Sequence, residues 1–167
     1  EDHSEPARRG RPLPHETRQL NPSGAKSLTV LVVAHNDSQT LLPTVDRLFR
    51  ALTITVEDFA IVIFDDGSSD GTAEVAETAA TKYPFTTVRR NRRPMGLGYC
   101  TIQGSKEANT RFVVYVPADN TWPFRSFVDL FGNLGKAEVI TSYANNLLVA
   151  MPLPKRIVSR SYSLILN

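Results

Sequence analysis

Two adjacent carboxylates, Asp65 and Asp66, follow an apolar run at 59–64 and precede a Gly/Ser/Asp turn at 67–71. An apolar run of this kind is typical of a strand buried in a parallel sheet. The carboxyl ends of parallel strands form the edge of an α/β sheet at which ligands bind. A carboxylate at that edge can accept hydrogen bonds from a ligand. The segment therefore predicts a polar ligand site at the end of a strand.

The same arrangement occurs twice more in the chain. Asn36 and Asp37 follow an apolar run at 28–34, and Asp119 and Asn120 follow another at 112–116. Asn, Asp and Ser residues also cap the helices that follow strands, and capping is the favoured interpretation for Asn36 and Asp37 taken alone. Three such clusters at one edge, with an apolar sheet behind them, instead favour a nucleotide and metal site.

The elements that must position these clusters alternate regularly. Apolar runs predict strands at 28–34, 59–64, 85–89, 112–116 and 137–141. Helical spacing of apolar residues and turn signals predict helices at 38–52, 72–83, 98–109 and 123–134. Strand–helix alternation with continuously apolar strands predicts an α/β fold, in which a mostly parallel sheet has helices on both faces.

The composition is that of an ordinary globular domain. Of 167 residues, 41% are apolar and 22% are charged, and the net charge of +2 gives no reason to expect a nucleic acid partner. Cys100 is the single cysteine, which excludes an internal disulfide framework and a cysteine-based zinc site and favours a reducing compartment. No apolar run reaches the roughly 20 residues of a membrane span.

The chain divides into three predicted parts. Residues 1–26 contain several prolines and almost no apolar residues, so we predict a disordered or extended arm. Residues 27–150 form the predicted domain. Residues 151–167 mix basic and apolar residues, which is typical of an interfacial helix and equally of an ordinary packed helix. The apolar pattern stops without a helix stop signal, so we expect a longer parent protein in which this helix begins an acceptor or membrane-proximal region.

Several ordered motifs resemble those of family 2 glycosyltransferases. Residues 33–37 (VAHND) resemble the family's "PAYNE" opening, and residues 65–72 (DDGSSDGT) are similar to its "DDGSTDGT". Gly96, Gly98 and Gly104 match its "GxG…G" segment, and residues 117–120 stand where the family has "DAD". The resemblance covers about residues 28–130, with the motifs in the family's order and at its spacing.

The resemblance implies a Rossmann-like GT-A nucleotide-sugar-binding fold. It implies transfer of a sugar, with inversion, from a UDP- or GDP-linked donor, assisted by Mg²⁺ or Mn²⁺. Asp66 would accept from the ring N–H of the base, and Asp119 would ligate the cation that bridges the diphosphate. The implied nucleotide-binding residues are Val33, Ala34, His35, Asp37, Asp66, Ala118 and Asp119.

The chain looks most like the branch that loads sugars onto polyprenyl phosphate, such as dolichol-phosphate mannose synthases. That likeness implies a polyprenyl phosphate acceptor, a membrane surface as a partner, and a cytoplasmic location at the cytoplasmic face of a membrane. Arg89, Arg90, Arg92 and Arg93 suit binding of a diphosphate or lipid phosphate, and they equally suit a solvated loop.

Two departures from the family pattern limit the assignment. Pro117 stands where the family usually has its first aspartate, which leaves Asp119 as the only carboxylate of that motif. Mg²⁺ often binds through one or two carboxylates plus phosphates and waters, so one acid can suffice. No residue after Asn120 resembles an acid/base catalyst, so we nominate no catalytic base within the chain. The alternative interpretation is a non-catalytic nucleotide-binding scaffold, a degenerate glycosyltransferase in a membrane assembly.

Overall fold

A computed structural model describes residues 26–137 of the chain, in which four strands and four helices alternate. The elements are β1 (Ser27–Ala34), α1 (Leu41–Thr55), β2 (Asp58–Asp66), α2 (Thr72–Lys82), β3 (Thr86–Asn91), α3 (Leu97–Glu107), β4 (Phe112–Pro117) and α4 (Phe124–Gly132). The predicted strand at 137–141, the helix at 151–167 and the arm apart from residue 26 lie outside the described residues. The predicted domain boundaries therefore stay predictions.

The four strands form one parallel sheet in the order β3-β2-β1-β4. Strand β1 lies inside the sheet, where Val33 is in register with Phe64 of β2 and with Pro117 of β4. The three strands that precede the polar clusters, β2, β1 and β4, are therefore neighbours whose carboxyl ends lie side by side. The predicted parallel sheet is confirmed.

Helices cover both faces of the sheet, as predicted. Helices α1, α2 and α4 pack on one face, where the core includes Val30, Val32, Val45, Leu48, Ile61, Ile63, Ala76, Phe127 and Phe131. Among the described helices, α3 is the one that packs on the other face, where Cys100 joins Leu31 and Phe64 in a second buried cluster. Strand residues alternate between these two cores because successive side chains of a strand point to opposite faces.

Helix α1 begins three residues later than predicted because a turn precedes it. The Asp37 carbonyl accepts hydrogen bonds from the Thr40 and Leu41 amides at 3.1 and 2.9 Å. The helix also continues to Thr55, where the Thr53 and Thr55 hydroxyls donate to carbonyls one turn earlier. These bonds satisfy the two hydroxyls within the helix, although β-branched residues are poor helix formers.

Strand β2 is longer than predicted at its carboxyl end. Asp65 and Asp66 are the last two residues of the strand, in register with Arg90 and Asn91 of β3. The sequence predicted that the strand ends at Phe64, where the apolar run gives way to two carboxylates. Arg90 and Asn91 of β3 and the Met95 amide in the loop after it pair with the two carboxylates and stabilise the extension.

Candidate functional site

Asp66 lies at the centre of the strand edge and is only 4% exposed. Its Oδ1 accepts hydrogen bonds from Asn91 Nδ2 at 2.7 Å and from the Met95 amide at 2.8 Å. Its Oδ2 accepts from the Gly96 amide at 2.8 Å. Gly96 is the N-cap residue directly before α3, so the carboxylate fixes the loop before that helix and the helix start.

The balance between burial and hydrogen bonding sets the charge of Asp66. Burial acts to raise the pKa of this carboxyl, but the hydrogen bonds from Met95, Asn91 and Gly96 lower it below the ordinary value of 3.8. The group is therefore a carboxylate at neutral pH. The Cys100 thiol also hydrogen-bonds this carboxylate, so four donors approach its two oxygens. The assignment of Asp66 to the base stays a prediction, and the structure adds a positioning role that the sequence did not indicate.

Asp65 is fully buried beside Asp66 and faces different partners. Its Oδ1 accepts from the Ser68 amide at 3.0 Å, and Arg90 Nε lies 3.2 Å from Oδ2 as an ion pair that lacks hydrogen-bond orientation. Arg89 pairs with Glu107 at 3.0 Å. Arg89 and Arg90 lie in β3 rather than in the predicted loop, and both already have partners within the domain.

The other two arginines differ from these. Arg92 and Arg93 make no side-chain hydrogen bond or ion pair with any described residue, so phosphate binding and solvation both stay open for them.

The backbone of Arg93 packs against Gly67, where a Cβ atom would lie 2.5 Å from the Arg93 carbonyl carbon. Gly67 also has φ +67°, so the turn needs glycine for both reasons.

Asn36 joins the loop after β1 to the loop after β2. Its amide donates to Ser68 Oγ at 3.0 Å, and its Oδ1 accepts from the Ser69 amide at 2.9 Å. Asn36 adopts a left-handed conformation with φ 58°, which Asn tolerates better than most residues. The interpretation of Asn36 as a simple helix cap is therefore wrong, because its hydrogen bonds connect two loops.

A second set of hydrogen bonds extends this connection. The Asp37 amide donates to Thr72 Oγ1 at 2.8 Å, and the Ser38 amide donates to Asp70 Oδ2 at 3.2 Å. Hydrogen bonding, chiefly from the Thr72 hydroxyl, lowers the pKa of Asp70 to about 2. The two loops at the ends of β1 and β2 thus form one hydrogen-bonded unit.

His35 lies exposed on top of this unit with its ring oriented by two neighbours. Its Nδ1 is 2.9 Å from the Asp66 carbonyl oxygen, which can only accept, so Nδ1 carries the proton. Its Nε2 lies 3.3 Å from Asn36 Nδ2, which can donate to it. The His35 amide donates to Asp37 Oδ2 at 2.9 Å, which also orients the half-buried Asp37 carboxylate.

Asp119 follows β4 with an exposed side chain. Its Oδ1 accepts from the Thr121 amide at 3.1 Å and from the Thr121 hydroxyl at 2.7 Å. Its Oδ2 accepts no hydrogen bond from the described residues. The next residue, Asn120, is left-handed with φ 60°, and its buried Oδ1 has no donor in the described part of the chain.

The charges at two neighbouring strand ends both act on the side chain of Tyr115. Its pKa is raised first by burial and then by the negative charges of Asp119 and Asp37. Asp119 follows β4 and Asp37 follows β1, so the carboxylates of two neighbouring strands act on one phenol. The structure therefore brings together the acidic residues that the sequence predicted at one edge.

Three apolar residues of the predicted nucleotide site offer less surface to a ligand than expected. Ala34 and Ala118 are 0% and 1% exposed as whole residues within the core. Val33 is half-buried and packs against the cluster beneath α3. These residues fill the sheet beneath the site rather than line a pocket, and their assignment to nucleotide binding stays a prediction.

The acidic residues suit a cation that arrives with a diphosphate rather than a preformed metal centre. Among residues 26–137, no three His, Cys, Asp or Glu side chains are grouped closely enough to hold a metal ion. Asp119 nevertheless offers one oxygen without a donor, and a hard cation such as Mg²⁺ can bind through one carboxylate together with phosphates and waters. The residues present therefore fit such a cation.

Comparison with known proteins gives the family. Residues 29–146 match the family model described as glycosyl transferase family 2, and the chain belongs to that family. It is 33% identical over 95 residues to a cholesterol galactosyltransferase of Borreliella burgdorferi, a match that covers 56% of this chain and 25% of the relative. It is 32% identical over 96 residues to a dolichol-phosphate mannosyltransferase of Pyrococcus furiosus, covering 58% and 26%.

The chain thus spans about a quarter of the length of these relatives. A solved mannosyltransferase from Pyrobaculum calidifontis, in complex with GDP-Man and Mn²⁺, shares the GT-A fold. Its TM-score is 0.51 at 22% identity, over 62% of this chain and 30% of that one. Family membership and the named relatives support a glycosyltransferase enzyme. Within the described residues, no helix is both long and apolar enough to cross a membrane.

Proposed function

We propose that this domain binds the nucleoside diphosphate sugar of a glycosyltransferase that passes the sugar, with inversion, to an acceptor. One observation carries the proposal: in a family 2 chain, the neighbouring ends of β2, β1 and β4 bring Asp66, Asp37 and Asp119 to one edge of a parallel sheet. Ligands of open α/β sheets bind outside the carboxyl ends of the strands.

The nucleoside lies against the hydrogen-bonded unit formed by the first two loops. Asp66 accepts from the base, and the exposed His35 ring covers the base or ribose. Asp37 lies on the ribose side, and Val33 and Ala34 support the pocket from the sheet beneath it. UDP and GDP are both candidates. The fixed His35 ring and the ionised Asp66 support this assignment because a preoriented site loses less conformational entropy on binding.

The diphosphate lies at the β4 end with a divalent cation, Mg²⁺ or Mn²⁺, held by Asp119 and flanked by Ala118. Such a cation neutralises the charge that develops on a diphosphate leaving group. The oxygen of Asp119 that has no donor supports the assignment, as does the solved neighbour that contains Mn²⁺ and GDP-Man. No catalytic base is assigned to the described residues.

The acceptor is a polyprenyl phosphate, and the enzyme works at the cytoplasmic face of a membrane. The similarity to a dolichol-phosphate mannosyltransferase supports this choice. Arg92 and Arg93, whose side chains pair with no other described residue, are our candidates to meet the phosphate of such a lipid.

Pro117 favours a second candidate, a non-catalytic nucleotide-binding scaffold in a membrane assembly. Pro117 ends β4 opposite Val33, so the β4 end carries a single carboxylate. Metal-dependent hydrolysis or transfer of a nucleotide sugar by the full-length protein supports the enzyme. Nucleotide binding without either reaction supports the scaffold.

The cation assignment is tested by Asp119→Asn, which removes a charged ligand but keeps the size of the side chain. We expect Mn²⁺ to strengthen UDP or GDP binding to the unmodified chain and to have no such effect on the variant, while metal-free affinity is unchanged. Isothermal titration calorimetry with and without Mn²⁺ measures both. Asp129→Asn, on an exposed face of α4, is the matched control. Equal enhancement in the unmodified chain and Asp119→Asn would falsify the assignment.

A further inference from the structure

We infer that two side chains of α1, Thr44 and Arg47, are positioning residues that hold the loop of Asp119 in the geometry required for the cation. The inference rests on the proposed function, because it assumes that Asp119 is the cation ligand. Neither residue belongs to a motif that the sequence singled out, and neither touches the predicted ligand.

Thr44 fixes the beginning of the loop. Its side chain is in the core, with the residue only 2% exposed, and its Oγ1 donates to the Ala118 carbonyl at 3.1 Å. Ala118 directly precedes Asp119. A buried hydroxyl that lost this acceptor would have no water to replace it, so the hydrogen bond strongly favours one position of the Ala118 carbonyl.

Arg47 fixes the end of the loop. Its Nη1 donates to the Trp122 carbonyl at 2.9 Å in a partly buried contact. Thr44 and Arg47 are three residues apart on α1, so they lie on one face of the helix. The Trp122 ring also stacks on Phe127 of α4, at 5.6 Å between ring centroids. Side chains on one face of α1 therefore donate hydrogen bonds to the carbonyls on both sides of the segment 119–121.

The segment between these two anchors needs such support. Asn120 is left-handed, which asparagine tolerates better than most residues but which an extended loop would not need, and its buried Oδ1 has no donor among the described residues. Asp119 Oδ1 is used by Thr121, so the direction of the remaining oxygen depends on the backbone of the whole segment. Without the anchors, the loop would relax to conformations in which that oxygen no longer faces the diphosphate.

The experiment measures nucleotide affinity with and without Mn²⁺ for Thr44→Val and Arg47→Met. We expect the enhancement by Mn²⁺ to fall about fivefold in each variant, the factor of one ordinary hydrogen bond, with metal-free affinity unchanged. In the metal-free proteins, hydrogen exchange of the peptide spanning 118–122 should be faster. A merely structural role would weaken metal-free and metal-dependent binding alike.

The same helix supplies matched controls. Thr53→Val and Arg50→Met remove groups whose bonds to described residues lie within α1, to the Arg50 carbonyl and to Asp46 respectively. These variants should keep the full enhancement. Thr44→Ser and Arg47→Lys, which retain a donor, should restore most of it.

The outcomes separate two failures. No enhancement by Mn²⁺ in the unmodified chain overturns the cation assignment and this inference with it. Enhancement that is unchanged in both Thr44→Val and Arg47→Met overturns the inference alone and leaves the proposed function intact. Should Thr44→Val not fold, Arg47→Met decides, because Arg47 is only partly buried.

Discussion

Asp66 connects parts of the chain that are far apart in sequence. Its donors Asn91, Met95 and Gly96 lie 25, 29 and 30 positions away. The motif alone indicated a strand-end carboxylate, which is correct. Its donors could not be predicted, because they depend on the register of β2 with β3 and on the residue at which α3 begins. Neither is encoded in the local pattern of apolar residues.

Asp66→Ala should destabilise the domain as well as weaken nucleotide binding. Removing the carboxylate leaves two backbone amides and the Asn91 amide without their acceptor, and hydrogen bonds to charged groups contribute roughly 1.5–3 kcal/mol. We expect the free energy of unfolding to fall by about that amount near pH 7, measured by urea denaturation. Asp129→Ala, which removes an exposed carboxylate, should change it little.

The pH dependence of this effect has a definite sign. The pKa of Asp66 is lowered in the folded state relative to 3.8, so its contribution is present above that value and is lost as the pH falls through the lower folded pKa. The difference in stability between the unmodified chain and Asp66→Ala should therefore shrink in acid. A difference that stayed constant from neutral pH to about pH 2 would contradict the role of the charged form.

At the scale of elements, each described strand and helix was predicted to exist. The apolar runs of β1, β2 and β4 were decisive because strands buried in a parallel sheet are continuously apolar, whereas β3 at the sheet edge is largely exposed. The boundaries that were wrong depend on tertiary partners. Asp65 and Asp66 remain in β2 because Arg90 and Asn91 lie opposite them in β3. The late start of α1 depends on the turn closed by the Asp37 carbonyl.

Helix α3 is the element whose position is most sensitive to a single methyl group. A Cβ atom at Gly104 would lie 2.6 Å from Leu31 Cδ2 and 3.0 Å from Phe64 Cε2, both in the core. Gly104→Ala should therefore push α3 off the sheet and lower the free energy of unfolding by about 1–3 kcal/mol, the usual cost of overpacking. Urea denaturation measures the change.

Gly98 provides the control on the same helix. A Cβ atom there meets nothing within 4 Å, so Gly98→Ala should be neutral or stabilising by about 0.5–1 kcal/mol through helix propensity alone. Similar effects of the two substitutions would mean that α3 does not rest on the sheet at Gly104.

At the scale of the whole molecule, ligand binding should appear as thermal stabilisation. A nucleotide that binds only the folded state stabilises it by about 2.7 kcal/mol at a hundredfold excess over Kd. We expect UDP or GDP, or a sugar derivative of one of them, to raise the Tm in the presence of Mn²⁺. Comparing the shifts produced by the uridine and guanosine nucleotides also identifies the preferred base. The absence of any shift at millimolar nucleotide would count against the donor site.

The inner position of β1 has a consequence for the order of folding. Strand β1 pairs with β2, which follows after one helix, but also with β4, and the Arg111 amide donates to Ser27 Oγ across 84 positions of sequence. Closing that long loop costs entropy before any contact compensates for it. A chain made from its amino end can therefore assemble β1, β2 and β3 first, whereas β4 and the loop of Asp119 must wait until the ribosome has released them.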